Sequence, residues 1–139
     1  MAYPFPSIEW LNALCGFLNQ DERYGEVARN WEGDMVVIIE ADSSSPDGYT
    51  TCALYLDLWH GDCRSVRTYD PGNEAIPEAA YLLSAPFANI MKVFTGELDP
   101  VQAMLTRRLQ VKGNMAYMLR NIPVVLDFVR CCRQVEIAV

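Results

Sequence analysis

The chain has a single histidine and no C-x-x-C pair, and those two scarcities exclude most metal and thiol chemistry. Zinc sites draw on Cys and His at short, recurring spacings. Cys15, Cys52, Cys63, Cys131 and Cys132 are an odd number in no such pattern, so neither a disulfide framework nor a zinc site is expected. They read as reduced, mostly buried thiols. The adjacent Cys131 and Cys132 could hold a soft metal ion, but neighbouring helical positions point about 100° apart, which favours two core or boundary thiols. Long apolar runs are lacking too: the longest aliphatic stretch is Met35 to Ile39, far short of the ~20 residues of a membrane-spanning helix. Cations are few, 11 Lys and Arg against 18 Asp and Glu for a net charge of -7, and they read as scattered along the chain. Such a charge repels nucleic-acid phosphates and anionic lipid surfaces alike, so neither nucleic-acid binding nor stable membrane insertion is expected. No glycine-rich phosphate loop, metal cluster or Ser/His/Asp set occurs, and no cofactor is expected. The first ten residues have no basic or apolar leader pattern and the last four are no known address, so a cytoplasmic location is expected.

What is present suits one domain over 1–139: 51% of residues are hydrophobic, and a domain this size buries roughly 70% of the surface its unfolded chain exposes. Residues 7–32 read as a helical segment. Ser7 caps a helix with Ile8, Leu11, Leu14, Cys15 and Leu18 on one face, and Asp21 opens a second with Tyr24, Val27, Ala28 and Trp31, stopped by Gly33. The period then changes. Residues 34–41 and 50–59 are β-rich runs joined through Pro46-Asp47-Gly48, which predicts a hairpin. In the second run Cys52, Leu54, Leu56 and Leu58 share one face, with Ala53, Tyr55, Asp57 and Trp59 on the other. A turn at Gly61-Asp62 leads to a more polar strand over 63–69, suited to an edge. Residues 79–85 predict a fourth strand, continuing the meander. A helix follows with Phe87, Ile90, Met91 and Phe94 on one side and Gly96 as its stop. Asp99 caps the next helix, Pro100 sits in its first turn, and Val101, Met104 and Leu105 form its buried face. A strand over 108–113 precedes Asn114, the cap of a closing helical segment with Pro123 as a kink or restart. Its polar positions are Arg120, Asp127, Arg130 and Gln134, leaving an apolar arc of Met115, Met118, Leu119, Ile122, Leu126 and Val129.

From Ala80 to Leu119 the order is strand, helix, Gly96, Asp99-Pro100, a helix containing Ala103, a strand with Leu109 and Val111, then Gly113-Asn114 before a last helix. This resembles the sterol carrier protein type-2 domain family. The similarity of pattern spans roughly residues 30 to 135, on the scale of one domain. Thr106 and Arg107 stand where the family often has a glycine. The resemblance implies an α+β fold: a five-stranded, mainly antiparallel sheet with helices over one face, enclosing an apolar tunnel. It further implies non-catalytic binding and carriage of a fatty acid, acyl-CoA, sterol-like or other lipid. The short helix from Pro100 to Thr106 and the closing helix would roof the cavity as a lid. Candidate ligand-binding residues are then Leu54, Leu56 and Leu58 of the strand, Phe87, Met91 and Phe94 of the helix after it, Met104 and Leu105 of the lid, and Met115, Met118, Leu119 and Ile122 of the closing arc. Each also suits a plain core. A pocket of ~300 Å³ left dry and empty would cost about 7 kcal/mol.

Two rival functions remain. His60 would stand across a tight turn from Cys63, within reach to activate a thiol for a small enzyme. Trp10, Tyr55 and Trp59 as exposed aromatics would suit a dimerising interaction module, and a homodimer is one expected partner state. Lys112 beside the Asn114 cap could hold a carboxylate or phosphate, though a solvated lysine beside an ordinary cap is the better reading. Glu97 and Asp99, two apart near a cap, suit turn chemistry better than an acid/base pair.

Overall fold

A computed structural model describes residues 1–138. The elements run α1 (Ile8–Gln20), α2 (Glu22–Val27), β1 (Met35–Glu40), β2 (Cys52–Trp59), β3 (Asp62–Tyr69), β4 (Tyr81–Pro86), α3 (Phe87–Thr95), α4 (Pro100–Leu105), β5 (Gln110–Lys112), α5 (Met115–Arg120) and α6 (Ile122–Gln134). The local signals act as their chemistry predicts. Ser7 Oγ accepts from Trp10 N at 3.1 Å, Asp21 from Tyr24 N at 2.9 Å, Asp99 from Val101 N and Gln102 N, and Asn114 from Tyr117 N at 3.0 Å, each satisfying an orphan donor in a first helical turn. Gly96 ends α3 in the left-handed conformation, φ 87, which glycine adopts without steric cost.

The five strands form one sheet in the order β3-β2-β1-β4-β5. Every pairing is antiparallel except β1 with β4, which is parallel. The fourth strand therefore does not continue the meander. β3 ends at Tyr69, opposite Ala53, at the edge where β1 finishes, whereas β4 begins opposite Met35, where β1 starts. Residues 70–80 must carry the chain diagonally back across the sheet. Glu74 pairs with Arg67 at 3.5 Å, and Arg67 lies opposite Tyr55 on the face away from Leu54 and Leu56, so the crossing runs over that outer face. A parallel pair requires such a crossover.

The hairpin between β2 and β3 pairs Trp59 with Asp62, so its two turn residues are His60 (φ 51) and Gly61 (φ 85), one position earlier than the sequence suggests. Two successive positive φ values match the right-handed twist of the strands. Gly61 has a second reason to lack a side chain: a Cβ there would stand 2.9 Å from Gly25 O of α2.

The closing segment departs most from its expected pattern. Asn121 (φ -116, ψ 32) breaks it into α5 and α6, with Pro123 in the first turn of α6, where a missing N–H costs nothing. The break resets the rotational phase. α6 buries Val124, Asp127, Cys131 and Cys132, while Leu126 is 43% exposed and Leu119 of α5 is 44% exposed. Asp127, expected on a polar face, is turned inward and is the one buried charged residue described. Arg130 Nε at 2.7 Å and Arg23 Nε at 3.2 Å neutralise it, as a buried carboxylate requires.

Candidate functional site

Strand alternation aims Met35, Val37 and Ile39 of β1 and Leu54, Leu56 and Leu58 of β2 at the helices, because Met35 is registered with Leu56 and Val37 with Leu54. Leu83 of β4 joins them through its pairing with Val37. Above this floor stand Trp10, Leu11 and Leu14 of α1, Ile90, Val93 and Phe94 of α3, Met104 of α4, Met118 of α5, and Val124, Phe128 and Cys132 of α6. The two layers do not meet everywhere, and a cavity of about 120 Å³ lies between them.

Its wall is apolar and aromatic throughout. Its two tryptophans turn their polar atoms elsewhere: Trp10 Nε1 donates to Val135 O at 3.2 Å and Trp31 Nε1 to Gly33 O at 2.9 Å. Tyr24 is buried, and burial pushes its phenol well above the ordinary range, so it stays neutral. Such a surface can offer area and dispersion to a ligand but no orienting hydrogen bond.

Of the residues singled out in the sequence, Leu54, Leu56, Leu58, Phe94, Met104 and Met118 border this cavity. The other six stand off its wall. Phe87 is buried against Phe5 and Tyr49, with ring centroids 6.3 and 5.6 Å away, and Met91 is half-buried at the edge of the core. Met115 and Ile122 are half-buried. Leu105 (62%) and Leu119 are exposed: α4 turns Ala103 and Met104 inward instead, and α5 turns Met118 inward. Sequence reasoning missed the contribution of β1. In "MVVII" the apolar side chains are consecutive, so the parity that separates Met35, Val37 and Ile39 from Val36 and Ile38 is invisible without the pairing. It also missed α1, whose apolar face was legible but whose position over the sheet was not.

The rival sites do not assemble. Cys63 faces Leu58 across the ladder rather than His60, its sulfur lies 3.9 Å from Ser65 O, and burial pushes its thiol far up from the ordinary range. His60 instead holds Glu32 at 2.6 Å. Trp10 is 2% exposed and Tyr55 is half-buried, bonded to Asp34; only Trp59 of the three candidate docking aromatics is exposed, with Arg64 over its ring. Asp21, Asp127 and Cys131 bring donor atoms within 4.8 Å of one another. Arg130 bonds both carboxylates, so a guanidinium stands where a metal ion would have to. The Cys131 thiol is pushed up to about 11, mainly by burial. Asn114 uses its side chain to cap α5, a helix of six residues, which leaves Lys112 as a solvated cation at the sheet edge.

A sheet covered by helices on one face, with an apolar space between the layers, is a build that suits small apolar molecules. The chain belongs to the SCP-2 sterol transfer family, whose family model matches residues 11–125. The family is one of lipid-binding, typically non-catalytic domains. The chain is similar to the crystal structure of a sterol carrier protein 2, with 30% identity and a TM-score of 0.80 over 92% of this chain and 96% of that one. It is likewise similar to the solution structure of a conserved hypothetical protein, possibly a sterol carrier protein, from Thermus thermophilus, with 28% identity and a TM-score of 0.81 over 95% and 90% of the two chains. Sterol carrier protein 2 from Yarrowia lipolytica in its apo form shares the fold at 15% identity and a TM-score of 0.56, over 91% of each chain. None of the curated proteins matches the chain. No helix among the described residues is long and apolar enough to cross a membrane.

Proposed function

We propose that the protein binds an apolar ligand, such as a fatty acid, acyl-CoA or sterol-like lipid, within the space between sheet and helices, and carries it without chemical change. The observation that supports this most is the wall itself, apolar from every element that reaches it. Family membership supports the lipid class. With no polar partner inside, the tail enters and the polar head stays at the surface. At ~24 cal/mol per Å³, an empty cavity of about 120 Å³ costs about 3 kcal/mol, less than the sequence-based supposition but still a sizeable part of a domain's ~5–15 kcal/mol. For scale, an engineered dry cavity of ~150 Å³ takes up benzene. A whole acyl chain therefore needs α4, α5 and α6 to move apart from the sheet, extending the cavity into a tunnel. Ten methylenes contribute about 8 kcal/mol before ordering costs, consistent with micromolar binding.

Two measurements test the reading. Purified protein is extracted with organic solvent and the extract analysed by mass spectrometry; a stoichiometric lipid is expected. A fluorescent fatty acid is then titrated into stripped protein, with saturable enhancement expected. Absence of both a co-purified lipid and saturable binding would sink the proposal.

A further inference from the structure

The cavity has two recognisable ends. Its floor includes Met35, Val37 and Ile39, alternate residues of β1 that span about 13 Å at the rise of a strand. At the Met35 end, Tyr81 is registered with Met35 and stacks on Trp31, ring centroids 5.7 Å apart, and Trp31 in turn meets Tyr117 of α5 at 5.2 Å. At the other end the Ile39 carbonyl accepts from the Tyr49 hydroxyl, Tyr49 packs on Phe87, and Phe87 on Phe5. Phe5 therefore belongs to the end away from α5.

Phe5 reaches the wall from outside the helices and the sheet. It lies in no helix or strand, and in the segment before residue 11, where the family match begins. Tyr3 N donates to Glu136 O at 3.0 Å and Ala138 N to Tyr3 O at 2.6 Å, so the N-terminal segment is strapped to the last described residues, as an ordered terminus must be. From that strap the Phe5 ring turns inward until it is 7% exposed, edge-on to Trp10 at 4.7 Å and to Phe94 at 5.2 Å. Phe5, Trp10 and Phe94 all border the cavity, and the last two stack on each other at 5.7 Å. Three rings thus close this end.

We infer that Phe5 is the end-stop that sets how long an apolar ligand the cavity accepts, the tip of the ligand's tail meeting its ring. The inference rests on the lipid-carrier reading. A tail admitted as α5 moves off the sheet runs along β1 towards the Phe5 end. Each methylene that finds room inside tightens binding about fourfold. The gain stops at the ring, because a close-packed wall does not yield to further carbons without strain. Trp10 and Phe94 are fixed by α1 and α3, so the strap is the part of this end whose reach can change without altering a helix.

The test uses the full chain, stripped of lipid, and straight-chain saturated acids from octanoic to eicosanoic, each competed against a fluorescent fatty acid. In wild type the affinity should rise with chain length and then level off. Phe5→Ala should move the levelling point to longer acids: room for two further methylenes, fewer carbons than the ring removes, would tighten those acids about 15-fold over wild type. Phe5→Trp should move it to shorter ones. Phe17→Ala removes a half-buried ring that packs on the core without bordering the cavity, so it should lower the melting temperature and leave the levelling point in place. If circular dichroism shows that Phe5→Ala does not fold, Phe5→Leu carries the same expectation on a smaller scale. A levelling point unmoved by substitution of Phe5, one moved equally by Phe17→Ala, or none in wild type would overturn the inference and leave the carrier reading standing. No saturable binding of any acid to wild type would overturn both.

Discussion

Asp34 and Asp42 flank β1, and each fastens that central strand to an element far along the chain. Asp34 accepts from Ala80 N at 2.7 Å and from the Tyr55 hydroxyl at 2.8 Å, tying β1 to β2 and to the entry of β4. Burial, and then the hydrogen bond and charge of Asp34, push the Tyr55 phenol up to about 12. In Asp34→Asn the Tyr55 midpoint should fall yet stay above the ordinary 10, because the larger cause, burial, remains; phenolate absorbance against a Tyr55→Phe control reads it. Asp42 accepts from Ala88 N at 2.9 Å, giving α3 the cap that Pro86 cannot supply. That N–H, followed by the Ser44 hydroxyl, holds the Asp42 carboxyl below its ordinary 3.8, and the N–H of Tyr24, followed by Arg130, does the same for Asp21. Both groups have depressed folded pKa values. Their stabilisation is therefore complete above the unfolded value near 3.8 and is lost as pH falls through the folded one. The melting temperature should drop below about pH 4. Asp42→Ala should lower it by a few degrees at neutral pH, and Asp42→Asn should flatten part of the acid slope while keeping most of the cap.

At the scale of elements, Gly113 decides how β5 passes into α5. Its φ is 144, and a Cβ there would stand 2.5 Å from the Tyr81 ring and 2.6 Å from Ala80 O. Gly113→Ala should cost at least ~2 kcal/mol, combining backbone strain with overlap, whereas Gly96→Ala, at φ 87 with open space around it, should cost about 1 kcal/mol. Urea midpoints for the two variants would separate a positional requirement from a merely conformational one. Gly96, Asp99-Pro100 and Asn114 were legible because their signals are local: a cap or a stop needs only its neighbours; Gly113 entered only through the family resemblance, since what it must clear is Tyr81 and Ala80. The features that were not legible depend on distance. The parallel pairing of β1 with β4 requires knowing that residues 70–80 cross the sheet. The cap on α3 comes from Asp42, 46 positions upstream. Asp127 reads as a surface residue until Arg23 and Arg130 are seen beside it. The wall followed the same rule, with β2's alternation visible in the chain and β1's contribution waiting on register.

For the whole molecule, the question is whether the void is a packing fault or a binding site, and the two differ in their response to filling. At about 120 Å³ the empty space costs about 3 kcal/mol, so anything that fills it without strain should stabilise the fold. Val124 of α6 lies on the wall and is nearly buried, which makes Val124→Phe a substitution aimed inward. Stripped Val124→Phe protein should melt no lower than stripped wild type, since the added ring takes up space already present. A ligand at a hundred times its dissociation constant should stabilise stripped wild type by about 2.7 kcal/mol, a melting shift on the order of 10 °C. The same ligand should shift Val124→Phe by little, because the ring and an acyl tail compete for one volume. Differential scanning calorimetry of the four samples distinguishes the cases. A ligand shift that survives in Val124→Phe would move binding away from this cavity, while a stabilised variant with no ligand shift even in wild type would leave the void as a fault in packing.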